Sequence, residues 1–179
     1  RSDVMIIWLD GVLGVGKTNT ALKIKDKLSD DNVEFLDSDF YYLEMIQKNF
    51  FSAFGGTKPQ TNQNFISYFR KIIEEKTSHT DKPILIAMAL TARECKEGLL
   101  DYFIRSEKNL LHIILTADKE IIKERILNDE SRPDKRLALD DLESGILFIN
   151  NNFSNEIHID TTNNDLDTTA NEIIKIVGL

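Results

Sequence analysis

The sequence predicts an α/β fold: a five-stranded parallel sheet with helices wound on both faces and a small lid. Three observations predict it. A glycine-rich pattern, Gly11-x4-Gly16-Lys17-Thr18, sits between a strand-type run and a helical run. Short apolar runs then alternate with amphipathic helical segments through the rest of the chain. One of these runs, Pro83-Ile84-Leu85-Ile86-Ala87-Met88-Ala89-Leu90, is almost wholly apolar, as a strand covered on both faces must be.

The first strand is Val4 to Leu9, and the helix after the glycine-rich turn carries Ala21, Ile24 and Leu28 on one face. Between them the pattern is that of a phosphate loop. Gly11, Gly14 and Gly16 let the backbone turn tightly and bring its N–H groups close to phosphate oxygens. Those donors, here including Val15 and Asn19, meet the positive end of the following helix, which makes an anion site. Lys17 reaches the β- and γ-phosphates, and the Thr18 hydroxyl serves Mg²⁺.

A second strand, Val33 to Leu36, ends in Asp37-Ser38-Asp39. In an open parallel sheet ligands bind beyond the carboxyl ends of strands, so these acids share a rim with the phosphate loop. Either carboxylate holds Mg²⁺ through water or takes a proton from an acceptor hydroxyl; the alternative is that one caps the next helix. A helix over Phe40–Ile46 follows, then Phe50 to Phe54 and Gly55-Gly56-Thr57-Lys58-Pro59. Residues 37–63 are the expected acceptor region, and its aromatics, Tyr41 among them, either line an acceptor pocket or join the core. The helix Thr61–Lys76 places Phe65, Phe69, Ile72 and Ile73 on one face, with Arg70 off it, toward the cleft or toward solvent.

The apolar strand 83–90 ends in Leu90-Thr91-Ala92-Arg93 without an acid. Metal positioning therefore falls to Thr18 and the Asp37/Asp39 pair. Arg93 either binds acceptor or phosphate on the rim, or pairs with Glu94 at the start of the helix 94–106. The fourth strand is Leu110–Leu115; His112 within it reads as structural. Asp118 is placed to cap the helix Lys119–Asn128, with Ile122 and Ile126 inward. Residues 129–136 are charged and broken by Pro133. With Arg125 upstream, Arg132 and Arg136 either form a lid (about 129–141) over transferring phosphates, where forked donors stabilise spreading charge, or a solvated loop. A helix from Asp140 to Phe148, a short strand Glu156–Asp160 and a helix Leu166–Val177, with Asp165 and Asp167 in its first turn, complete the pattern. Thr161 and Asn163, just beyond the last strand, border the adenine.

Composition narrows the function classes. Lys and Arg total 22 against 30 Asp and Glu, for a net charge of −8, which disfavours broad contact with nucleic acid or membrane. The single cysteine, Cys95, excludes an internal disulfide and fits a reducing cytosol. No His/Cys cluster has zinc-site spacing. No apolar run approaches the ~20 residues of a membrane span, and no signal sequence precedes Val4, so a cytoplasmic location is expected. Without repeat or linker, residues 1–179 read as one domain.

These features together resemble the nucleoside-monophosphate-kinase-like branch of small-molecule kinases, which includes shikimate, gluconate and chloramphenicol phosphotransferases. Within it, Met5–Gly11 running into Gly16–Ala21, together with Ile84–Thr91 and His112–Glu120, is similar to the tunicamycin-resistance protein family. The resemblance implies strand order 2-3-1-4-5, ATP binding, and antibiotic resistance by phosphorylation or by sequestration. The expected activity is transfer of the γ-phosphoryl of ATP, with Mg²⁺, to a hydroxyl of a nucleoside-like or antibiotic acceptor. Lys17, Asp37, Asp39, Arg125, Arg132 and Arg136 would carry it out, and Asp37, Asp39, Tyr41, Arg70 and Arg93 would hold the acceptor. The alternatives are ATP-dependent sequestration without chemistry and a metabolic nucleoside or nucleotide kinase.

Overall fold

The computed structural model describes residues 4–29, 31–48, 58–132 and 135–179. Its centre is a five-stranded parallel sheet, ordered β2-β3-β1-β4-β5, the order the resemblance implied. The strands are β1 (Ile6–Asp10), β2 (Glu34–Asp37), β3 (Ile84–Ala87), β4 (Leu110–Thr116) and β5 (Ile157–Asp160). β1 lies in the middle, in register with β3 (Ile6 beside Ile84) and with β4 (Trp8 beside His112). All five β1 residues and all four β3 residues are buried. Their alternate side chains point to opposite faces, so both faces of the sheet are covered.

The helices are α1 (Lys17–Leu28), α2 (Ser38–Lys48), α3 (Gln63–His79), α4 (Arg93–Cys95), α5 (Asp101–Arg105), α6 (Lys119–Asn128), α7 (Lys135–Asp140), α8 (Leu142–Asn152) and α9 (Leu166–Val177). α1 packs against α9, and α2 against α3. Ile122 and Ile126 of α6 face the core, as do Ala170, Ile173 and Val177 of α9. Two caps explain where helices begin: Asn62 Oδ1 accepts from Phe65 N at 2.9 Å, and Asp165 Oδ1 from Thr168 N at 2.7 Å.

The structure departs from the sequence reading in four places. The helix expected over 94–106 is α4 and α5 joined by a π turn, Lys96–Leu100. The lid stretch read as a loop through Arg136 becomes helical at Lys135, where Ala138 has a buried seat. Asp118 occupies the N-cap of α6, but its side chain makes no capping bond; its backbone N–H instead donates to Thr162 Oγ1 at 2.9 Å. Asp165, placed by sequence in the first turn of α9, is its cap. Phe50 to Thr57, Pro133 and Asp134 lie outside the described residues. No helix among the described residues is long and apolar enough to cross a membrane.

Candidate active site

The site lies at the carboxyl edge of the sheet, where β1 feeds the phosphate loop into α1. Gly16 closes the loop as the N-cap of α1 with φ 106°. The Lys17 ammonium donates to the carbonyls of Gly11 and Val12, each at 2.9 Å. A cleft of about 710 Å³ opens above the loop. Gly14, Val15, Gly16, Lys17, Thr18 and Asn19 form its floor, Asp37 and Asp39 one wall, and Arg125, Arg132 and Thr161 another. Residues spread over 148 positions of sequence, from Gly14 to Thr161, thus meet in one place.

Charge in the cleft is tightly coupled. Burial pulls the Lys17 pKa down to about 8; the carboxylates of Asp10, Asp39 and Asp37 resist that pull, and the charge of Arg132 adds to it. Asp37 ends β2, and Asp39 lies in the first turn of α2. Burial raises the Asp37 pKa; hydrogen bonds from Asp39 N–H (3.0 Å) and from the Thr18 hydroxyl, with the charge of Lys17, oppose the rise. Asp37 therefore caps α2 and faces Thr18 at once, so the two alternatives weighed for it are compatible. Thr18 and Asp37 present a hydroxyl and a carboxylate side by side. Such a sparse, hard-oxygen set fits Mg²⁺, which keeps several waters and takes other ligands from phosphates. No group of three or more His, Cys, Asp or Glu side chains among the described residues is placed to hold a metal by itself.

The arginines divide. Arg125, in the last turn of α6, donates to Val15 O (3.2 Å), Thr161 Oγ1 (2.9 Å) and Thr161 O (2.7 Å). It ties the phosphate loop to the turn after β5. Arg132 lines the cleft with its Nε buried, unbonded and 3.5 Å from Asp129 Oδ2. Arg136 does not join them: its side chain is 90% exposed and pairs with Asp140 one turn along α7.

Four other residues expected at the site lie elsewhere. Arg93 is 81% exposed and donates to Glu97 Oε1 at 2.7 Å, a partner one turn on rather than the neighbouring Glu94. Arg70 stacks its guanidinium 4.5 Å from the centre of the Tyr102 ring and does not line the cleft. Tyr41 packs against Phe40 and Phe69. Asn163 is exposed, and Asn164 lines the cleft in its place. Gly11, the first residue of the loop, does not line the cleft; its N–H donates to Asp10 Oδ1 at 2.6 Å. Sequence reading missed Gln60, Asn128, Ser131 and Asn164 in the walls, which belong to no motif. It also missed Asp10, whose one visible signal is an acid closing a buried apolar run.

Beside the cleft lies a second cavity of about 130 Å³ that shares Leu13 and Gln60 with it. Thr61, Thr91, Ser144 and the ion pair Lys58–Asp141 (2.6 Å) line it.

No family model matches the chain, and no curated protein matches it by sequence. Solved structures do match in shape. The tunicamycin resistance protein of Deinococcus radiodurans superposes with a TM-score of 0.77 at 20% identity, over 98% of this chain and 96% of that one. The shikimate kinase of Bacteroides thetaiotaomicron gives 0.64 at 16% identity over 98% and 99%. The APS kinase of Mycobacterium tuberculosis, solved with AMPPNP and APS, gives 0.63 at 14% identity over the full length of both. The chain therefore has the P-loop nucleoside-triphosphatase fold in the form found in small-molecule kinases and in the tunicamycin resistance protein.

Proposed function

We propose that this protein transfers the γ-phosphoryl group of ATP to a hydroxyl of a small nucleoside-like or antibiotic molecule. The observation that carries the proposal is the convergence of Lys17, Thr18, Asp37, Asp39 and Arg132 on one cleft. The loop amides and Lys17 hold the phosphates. Thr18 and Asp37 would hold Mg²⁺, which when bound would offset negative charge on the phosphates. Asp39, exposed in the cleft and not bonded to Thr18, orients the acceptor hydroxyl. The acceptor oxygen attacks the γ-phosphorus, the bond to the β–γ bridging oxygen breaks, Asp39 takes the proton and ADP leaves. Arg132 matches the charge that spreads over the equatorial oxygens in a loose transition state. Positioning supplies most of the catalysis, so loss of Asp39 slows the reaction more than it weakens binding.

The 130 Å³ cavity supports an uncharged, hydroxyl-rich acceptor. Its hydroxyls and the Gln60 amide offer both donors and acceptors, while its one ion pair neutralises itself. The likeness in shape to a tunicamycin resistance protein supports a nucleoside-like antibiotic as the acceptor class.

The test is mass spectrometry of ATP, Mg²⁺ and protein with a panel of tunicamycin, other antibiotics, nucleosides and sugar acids. A compound that gains one phosphate with the native protein and not with Lys17→Ala supports the kinase. One observation favours a second reading, ATP-dependent sequestration: the rim of β3 bears Leu90, Thr91 and Ala92, with no acid. Tight binding of a panel member in the presence of ATP, without phosphorylation, would select that reading.

A further inference from the structure

Asp10 is the most deeply buried carboxylate described in this protein, at 0% exposure, and the chemistry above does not use it. Taking a carboxylate out of water is costly unless its oxygens keep hydrogen-bond donors. What offsets that cost here is a set of three donors from three different strands or their continuations. Asp10 Oδ1 accepts from the N–H of Gly11 at 2.6 Å and from the N–H of Leu90 at 2.8 Å. Asp10 Oδ2 lies 2.9 Å from His112 Nε2, which donates to it. His112 is itself buried, fixed edge-on to Phe153 at 4.8 Å, with its Nδ1 unbonded and 3.7 Å from Glu156 Oε2.

The three donors have distinct places. Gly11 is the first residue of the phosphate loop, Leu90 stands on the rim beyond β3, and His112 is in β4 beside Trp8 of β1. One carboxylate therefore pins the root of the loop to both neighbours of the central strand. We propose that Asp10, oriented by His112, is a positioning residue that holds the phosphate loop in its nucleotide-binding geometry. The inference rests on the loop being a nucleotide site, as in the function proposed above. It adds that loop geometry is set from beneath, by a buried acid that touches no substrate.

Two substitutions separate geometry from simple loss of packing. Asp10→Ala leaves two backbone N–H groups and the His112 Nε2 without their acceptor. Asp10→Asn keeps an oxygen for Gly11 and Leu90. Its amide N–H₂ then meets His112 Nε2, which accepts when the ring carries its proton on Nδ1. As a control, Ile159→Ala removes buried side chain from β5, away from the loop. Calorimetric titration with Mg-ATP is run at a temperature where urea curves show each variant fully folded. The expected result is a tenfold or greater loss of Mg-ATP affinity for Asp10→Ala, recovery to within about threefold for Asp10→Asn, and native affinity for Ile159→Ala. If Asp10→Ala does not fold, His112→Leu carries the test. It removes the donor to Oδ2 and leaves both backbone bonds available, and a threefold or greater loss of affinity is expected. Native affinity in Asp10→Ala, or in His112→Leu where that variant carries the test, overturns the inference. So does an Ile159→Ala loss equal to that of the Asp10 variant, which would make the effect one of general stability. If the native protein itself does not bind Mg-ATP, the nucleotide-site reading fails first and takes the inference with it.

Discussion

Gly11 and Gly16 both hold a positive φ, 137° and 106°, yet alanine at the two positions should differ sharply in cost. At Gly16 an added Cβ meets nothing within 4 Å. The cost there is the backbone conformation alone, about 1–2 kcal/mol. At Gly11 the same carbon falls 2.6 Å from the carbonyl oxygen of Leu115 and 2.9 Å from Val15 Cγ1. The Leu115 oxygen belongs to β4, bonded into the sheet, and cannot swing aside as the end of a side chain can. Forced overpacking of this kind adds about 1–3 kcal/mol, so Gly11→Ala should cost about 2–5 kcal/mol in all. Urea unfolding followed by circular dichroism gives both values from the midpoint and slope. The difference between the variants, about 1–3 kcal/mol, reports chiefly the contacts with Leu115 and Val15, since both positions carry a positive-φ cost. Equal midpoints for Gly11→Ala and Gly16→Ala would refute the reasoning. They would mean that the loop root does not press on the rim of β4.

Arg125→Ala should lower stability by about 1–3 kcal/mol through loss of its bonds to Val15 and Thr161, and should weaken Mg-ATP binding because the loop loses its tie to β5. Arg125→Lys should restore little, since a single ammonium cannot replace the forked donor; urea midpoints and titration check both. Breaking Lys58–Asp141 should cost little despite its 2.6 Å contact, since both side chains are about a third exposed; a double-mutant cycle should give a coupling of at most about 1 kcal/mol that shrinks in 1 M salt. Cys95 is fully buried, and its thiol is pushed up to about 12, chiefly by burial. The native state therefore keeps its proton where the unfolded chain, at about 8.5, gives it up. The stability this confers is present below pH ~8.5 and is lost by about 1.4 kcal/mol per pH unit as pH rises toward 12. Comparing native protein with Cys95→Ala by urea unfolding at pH 8 and pH 10 removes the contribution of other groups. A stability difference that does not fall with pH would show that the thiol is not shielded.

What the sequence made legible was what local pattern determines. Gly11-x4-Gly16-Lys17-Thr18 sets a loop through backbone sterics and its two flanking runs, so the floor of the cleft was readable in full. The apolar run 83–90 contains β3 at Ile84–Ala87, buried on both faces, and the periodicity of 119–128 placed Ile122 and Ile126 inward as found. The arginines were less legible because charge does not record direction. Arg132 and Arg136 are four residues apart in one charged stretch, yet one lines the cleft and the other pairs with Asp140 in solvent. Arg70 was unreadable for a related reason. Its partner, the Tyr102 ring, comes from the segment after β3, and only the packing of α3 brings the two together. The walls supplied by Gln60, Asn128 and Asn164 come from single polar residues at element ends, where any polar residue looks like ordinary turn chemistry.

The missing acid beyond β3 bears on more than metal binding. The backbone N–H of Leu90 is held from below by Asp10. Acid in the cleft near the Lys17 end therefore comes from the β2 side, in Asp37 and Asp39. A residue that receives the acceptor's proton must lie on the acceptor's side of the γ-phosphate, because in-line transfer puts the attacking and leaving oxygens on opposite sides. The nucleotide, held by the loop amides and bordered by Arg125 and Thr161, occupies the β4–β5 side under the proposed function. The acceptor then has to enter from the side of β2, past Gln60 and Lys58. The second cavity shares Gln60 with the cleft, and its Lys58–Asp141 pair joins the segment before α3 to the start of α8. Acceptor choice should therefore respond to substitutions at Gln60, Thr91 and Ser144 while Mg-ATP affinity stays fixed. The opposite division, with those residues controlling ATP and not the acceptor, would reverse the assignment of the two sides.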